Sequence, residues 1–350
     1  MQLHLKKLFT LMLAAVMLLA MPSCGADSGA TVSSVPSTQP TTTLSPYVTN
    51  PLTGTDDLSS AYYGKRPVSV MINNIKTAQA VQTAVGDADL VFETLVEGGI
   101  TRLMAVYSDI SKIGQIGTIR SSRYSFIELA CGLDARYVYC GTDEQFALPL
   151  MQSLEMNDTL DLDNNASALG VRIQNGLDYE HTLYTDGEKI LDAYNDGRTE
   201  LKDRAKNPFS FNPVDAPVSY EQAATDFKVR FSGSYSTTFT YENDSGSYLR
   251  GNSNGTPFVD LHSGKYERFQ NVLVLYTDIY SLADDYHMKS ELTSGSGVYF
   301  TGGGYTQIKW SKGDSTAPLK LTDTQGNVLK LNAGNSYICI TDTEYPVSIQ

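Results

Sequence analysis

Ala88-Asp89-Leu90-Val91-Phe92-Glu93-Thr94-Leu95-Val96-Glu97-Gly98-Gly99-Ile100-Thr101-Arg102-Leu103-Met104-Ala105-Val106-Tyr107 decides how the first half of this chain is read. Ala88–Val96 and Thr101–Tyr107 flank Glu97-Gly98-Gly99, whose glycines mark a turn, so the stretch predicts two adjacent extended segments. Leu90–Val96 taken alone is also compatible with a helix. Upstream, Arg66–Asn74 alternates and is rich in Val, Met and Ile, a strand pattern. Downstream, Gly114 and Gly117 mark a second turn. Ser121 or Ser122 then suits the N-cap of a helix with Phe126, Ile127 and Ala130 on one face and Gly132 as its stop. Arg136–Cys140 predicts a strand, and Asp143–Leu154 and Gly187–Tyr194 predict helices. Residues 50–208 therefore read as an α/β domain with a mixed sheet.

Past Pro208 the texture changes to short strand-like runs separated by turn residues. Phe227–Phe231, Thr237–Tyr241, Ser247–Arg250, Asn271–Tyr280, Gly297–Thr301, Tyr305–Trp310, Pro318–Leu321, Val328–Leu331 and Tyr337–Ile340 all fit strands. Asn254-Gly255, Gly302-Gly303-Gly304 and Gln325-Gly326-Asn327 fit the turns between them. Residues 209–350 predict a β-rich domain, a sandwich or partly open barrel, and the whole chain an α+β protein.

The leader carries Lys6 and Lys7, followed by a run from Leu8 to Met21 that is apolar except for Thr10. About fourteen apolar residues are too few to span a bilayer, which needs roughly 20, so the run reads as a removed signal over residues 1–23. Met21-Pro22-Ser23-Cys24-Gly25 resembles the lipobox of bacterial lipoproteins and lacks the Ala-x-Ala of an ordinary secretory cut. Cys24 is then the lipidation site, and two or three acyl chains such as palmitate would hold the protein on the outer face of the cell membrane. Residues 24–49, rich in Ser, Thr and Pro, predict a disordered linker with a root-mean-square reach of roughly 25–30 Å.

Removing the leader leaves 24 basic and 39 acidic side chains, a net charge near −15. That balance argues against nucleic acid and against a polybasic membrane patch. Cys131, Cys140 and Cys339 remain, an odd number that leaves at least one thiol unpaired. They read as small buried hydrophobes, although a Cys131–Cys140 bridge stays open. Several motifs fail on context. Gly251-Asn252-Ser253-Asn254-Gly255 lies between short strands and not at a strand–helix turn. Asp161, Asp163 and Asn165 open a calcium-loop pattern, but Ala166 replaces its glycine and Arg172 its bidentate Glu. Ser294-Gly295-Ser296-Gly297 leads into a strand and offers no phosphate cradle. His181, His262 and His287 lack zinc spacing. No metal and no cofactor is called for.

The polar residues between Asp87 and Tyr124 carry more. Arg102, Arg120, Ser121 and Arg123, at a helix start, suit a phosphate or carboxylate. The competing reading is internal, with Glu93 or Glu97 as the partner anion. The same block resembles the YerB-like lipoproteins of the DUF3048 family through Arg66–Asn74, Ala88–Glu93, Val96–Arg102 and Ile119–Arg123. His181-Thr182-Leu183-Tyr184-Thr185 is similar to that family's H-N-L-Y-T segment, with Thr182 in place of Asn. Tyr248–Arg250, Asn271–Leu275, Gly295–Gly297, Trp310 and Gly326–Ile340 resemble its C-terminal domain. The resemblance implies a two-domain, membrane-anchored envelope protein and no particular reaction.

Three functions follow as expectations. The preferred one is a cleft that binds an anionic or glycan-like envelope ligand, with Arg102, Arg120, Ser121, Arg123 and Glu97 at the charged centre and Asn73, Asn74, His181 and Tyr184 adding hydrogen bonds. The second is an envelope hydrolase with Glu93 and Glu97 as acid and base. That needs carboxylates about 5–9 Å apart, which a helix provides and a strand, at roughly 13 Å, does not. The third is a scaffold that docks a protein partner through edge strands or tyrosines such as Tyr235, Tyr241, Tyr248 and Tyr266.

Overall fold

The structure, a computed structural model, describes residues 45–194 and 208–350; the leader, Cys24 and the linker up to residue 44 lie outside them. Val68–Asn73 (β1), Leu90–Leu95 (β2) and Thr101–Tyr107 (β3) are strands. The alternative of a helix over Leu90–Val96 is therefore closed. β2 and β3 pair antiparallel, with Leu95 opposite Thr101, and Glu97–Gly99 forms a single tight turn between them. Gly98 and Gly99 have φ of 72° and 69°, left-handed values that glycine adopts without steric penalty. β3 also pairs with β1, which runs parallel to Arg136–Tyr139 (β4).

The remaining strands of this sheet come from the other half of the chain. Asn271–Thr277 (β5), Ser294–Thr301 (β6) and Gly304–Ser311 (β7) form an antiparallel meander. Ser336–Asp342 (β8) inserts between β5 and β2, parallel to both. The result is an open, mixed, 11-stranded sheet in which strands from residues 68–161 and from residues 222–342 lie side by side. Asp226–Arg230, Ser236–Glu242, Ser247–Gly251, Arg268–Phe269 and Ser348–Ile349 build a second, five-stranded antiparallel sheet. The class is α+β with a β-rich second half, as the residue patterns predict, and neither sheet closes into a barrel.

Period-2 alternation divides the large sheet into two buried faces. Val70, Ile72, Val91, Leu103, Val274, Phe300, Tyr337 and Cys339 face one side. There they meet the second sheet, and Phe227 stacks on Phe300 with ring centroids 3.8 Å apart. Met71, Phe92, Met104, Leu273, Ile338 and Ile340 face the other side, against the helix Tyr124–Gly132 (α1) and the helix Ala147–Ser153. Burying each such side chain is worth roughly 1.5–3 kcal/mol, so both faces are held firmly.

α1 begins later than its serines suggest. Ser122 Oγ accepts from Tyr137 Oη at 3.0 Å and Ser122 N–H donates to Gly141 O, so Ser122 is tied to the strand side. Arg123 occupies the N-cap and its side chain does not cap. Asp161 N-terminal to the helix Leu162–Leu169 accepts from the backbone N–H of Gly141 and Asp163, which organises a turn. Among the described residues no group of three or more His, Cys, Asp or Glu is placed to hold a metal ion. No disulfide joins Cys131 and Cys140. No helix among the described residues is long and apolar enough to cross a membrane.

Candidate functional site

Alternation along β1, β2 and β3 sends the predicted site residues to opposite faces of the sheet. Glu93 and Thr101 point toward the second sheet, while Asn73 and Arg102, directly opposed in the β1–β3 register, point toward α1.

On the first face Glu93 is fully buried and saturated with donors. Its Oε1 accepts from Asn74 Nδ2 at 2.9 Å and Thr101 Oγ1 at 2.7 Å. Its Oε2 accepts from Thr237 Oγ1 at 2.9 Å and Tyr337 Oη at 2.7 Å. Asn74 Oδ1 in turn accepts from Arg250 Nη2 at 2.7 Å, and Arg250 Nη1 bonds Glu267 Oε2 at 2.6 Å. Burial pushes the Glu267 carboxyl above its usual value, against the pull of Arg250. This is a closed polar network joining both halves of the chain. Because β2 is a strand, the helical spacing that would bring Glu93 and Glu97 together does not arise, and every Glu93 oxygen is occupied.

On the second face lies a row of charges. Arg102 is 6 % exposed; its Nη1 donates to Ser121 O at 2.7 Å, and no carboxylate among the described residues lies within ion-pair distance of it. Burial, then Arg123 and Arg120, pull its guanidinium down to about 9, with Glu97 opposing. Arg123 Nε pairs with Glu97 Oε1, and Arg123 Nη1 donates to Ser122 O at 2.7 Å. Glu97 Oε2 is buried and has no hydrogen-bond partner among the described residues. At the other end Arg120 Nη1 donates to Glu180 Oε2 at 3.2 Å, and His181 Nε2 lies 3.3 Å from Glu180 Oε1. Asn73 Nδ2 meets His181 Nδ1 at 2.8 Å, an amide donor against a ring nitrogen.

The structure thus gathers Asn73, Glu97, Arg102, Arg120, Ser121, Arg123 and His181 on one side. Asn74 and Glu93 stand on the other. Tyr184 is buried in a structural role, donating to Val81 O at 2.9 Å. Of the tyrosines named for partner docking, Tyr235 and Tyr248 are buried and Tyr241 is half-buried, while Tyr266 is exposed.

Two site residues escape sequence reasoning. His287 Nε2 faces Glu97 Oε1 at 3.9 Å, and its Nδ1 donates to Asp284 Oδ2 at 2.6 Å. Partial desolvation raises Asp284, but hydrogen bonds from the His287 ring and from the backbone N–H groups of His287 and Tyr286 outweigh it and hold the carboxyl at about 2. The Asp-x-x-His spacing is the one local signal, and it is common in turns.

Two domains of one family, each described as a protein of unknown function (DUF3048), match this chain: the N-terminal domain over residues 52–200 and the C-terminal domain over residues 227–338. YerB of Bacillus subtilis (strain 168), which its name places among the lipoproteins, is 26 % identical over 268 residues, 71 % of this chain and 73 % of that protein. The crystal structure of the YerB protein from Bacillus subtilis shares the fold with a TM-score of 0.73 at 23 % identity, covering 86 % of this chain and 99 % of that one. The strings Glu-Gly-Gly-Ile-Thr-Arg and Ile-Arg-Ser-Ser-Arg, which carry the charged row, lie within the first matched domain, and the chain belongs to the DUF3048 family of YerB-like lipoproteins.

Proposed function

We propose that this is a lipoprotein anchored through Cys24 on the outer face of the cell membrane, whose folded part binds an anionic or glycan-like envelope ligand at the charged row of Arg102, Arg120 and Arg123. The observation that carries this reading is Arg102, a buried guanidinium held by one backbone carbonyl, flanked by two further arginines and paired with no carboxylate among the described residues. Burying a charge is expensive unless it is paired, and a bound anion supplies the missing partner. Arg120 and Arg123 each keep a carboxylate neighbour, so the net positive excess centres on Arg102.

Titration calorimetry of the full chain in detergent, with inorganic phosphate and with acidic cell-wall fragments, tests the reading. Saturable binding is expected, and Arg102→Met should abolish it while the protein stays folded. An isotherm that Arg102→Met leaves unchanged would overturn the proposal.

A further inference from the structure

Resting on that anion-binding reading, we propose that the ligand is an acidic oligosaccharide, its acid group held by Arg102, Arg120 and Arg123 and its flanking sugar rings lying on Tyr179 at one end and Tyr286 at the other. Three observations converge on it, the first being that each end of the charged row carries an exposed tyrosine. Tyr179, 72 % exposed, directly precedes Glu180, the partner of Arg120. Tyr286, 60 % exposed, directly precedes His287, which faces Glu97 and through it Arg123.

Secondly, both rings are held by fixed neighbours. The Arg172 guanidinium lies 3.6 Å from the Tyr179 ring centroid and donates to Tyr179 O at 2.8 Å, covering one face of the ring. Tyr286 packs edge-on against the His287 ring, with centroids 5.2 Å apart, and His287 is itself fixed by Asp284. A large aromatic held in place yet open to solvent presents a preorganised apolar platform with a polar tip, which suits the C–H faces of a sugar ring and loses little entropy on binding.

Thirdly, the polar groups in the row do not match a bare anion. Among the described residues Glu97 Oε2 is a buried carboxylate oxygen without a donor, and the contact found for Ser121 with the arginine row is through its carbonyl, which leaves its hydroxyl available. A carboxylate among three arginines repels a simple anion but accepts readily from a hydroxyl, and O–H donors beside an acid group define a sugar acid.

The test compares inorganic phosphate, free glucuronic acid and an acidic tetrasaccharide of alternating glucuronic acid and N-acetylglucosamine, titrated calorimetrically into the full chain in detergent. The tetrasaccharide should bind about tenfold more tightly than glucuronic acid. Tyr179→Ala and Tyr286→Ala should each shrink that preference severalfold, and together bring it close to one; both side chains are exposed, and unchanged melting temperatures would verify that the variants fold. If phosphate or glucuronic acid binds in an Arg102-dependent way but the tetrasaccharide gains nothing, the oligosaccharide inference falls and anion binding stands. If none of the three binds, both fall.

Discussion

Glu93 and Arg102 lie on adjacent paired strands and have opposite fates, because one residue of register decides which face of a sheet a side chain joins. Glu93 satisfies four donors drawn from Asn74, Thr101, Thr237 and Tyr337. Replacing it with Leu orphans those donors and leaves Arg250 with Glu267 as its carboxylate partner. Glu93→Leu should therefore lower stability by about 3–5 kcal/mol in urea unfolding, and Glu93→Gln, which keeps one acceptor, by less. A Glu93→Leu protein as stable as the parent would refute the network's structural role. Arg102 is the reverse case. Its charge is poorly compensated in the unliganded protein, so Arg102→Met should leave thermal stability unchanged or raise it by about 1 kcal/mol while abolishing binding, the signature of a residue kept for a ligand. The arginine row was legible from residue type and clustering alone. His287 was not, since more than half the length of the chain separates it from Glu97 in sequence, and only tertiary packing brings the two together.

The β2–turn–β3 hairpin is the element on which the site depends. Its turn places Glu97 beside Arg123, and Gly99 O accepts from Ser232 Oγ at 2.7 Å, which docks the turn on the second sheet. A Cβ at Gly99 would meet Ser232 Oγ at an ordinary 3.6 Å, so the cost of Gly99→Ala is conformational and comes from its positive φ. The expected loss is about 1–2 kcal/mol in thermal unfolding, with weaker ligand binding because Glu97 moves. Unchanged stability would show that the turn relaxes at no cost. The hairpin was the clearest pattern in the sequence. The start of α1 was less clear, because Ser121 and Ser122 have the right chemistry for a cap, yet tertiary hydrogen bonds to Tyr137 and Gly141 claim Ser122 first.

At the scale of the whole molecule the decisive strand is the last one of the large sheet, β8. β8 lies between β5 and β2 and pairs with both, so it joins the sheet contributed by residues 68–161 to that contributed by residues 222–342. Deleting residues 336–350 should abolish cooperative unfolding of the remainder, as followed by circular dichroism, because it opens two long apolar edges in the middle of the sheet. A shortened chain with a sharp transition near that of the parent would contradict this. The two matched family domains, ending at residue 200 and beginning at residue 227, are thus neighbours within one sheet as well as successive segments of sequence.

Local chemistry was enough to outline most of the strands, the Glu97–Gly99 turn, the change from mixed to β-rich texture and the concentration of arginines after Gly117, since each depends on periodicity, propensity or residue type within a short window. The turn expected at Gly114 and Gly117 is instead the short strand Gln115–Gly117, paired with Tyr184–Asp186. Tertiary structure alone decided that Glu93 is a core residue, that Arg102 has no acid partner among the described residues, that His287, held by Asp284, faces Glu97, and that strands from both halves share one sheet. Those outcomes depend on strand register and on pairing between distant segments, and a period of two tells which residues share a face without telling what that face will meet.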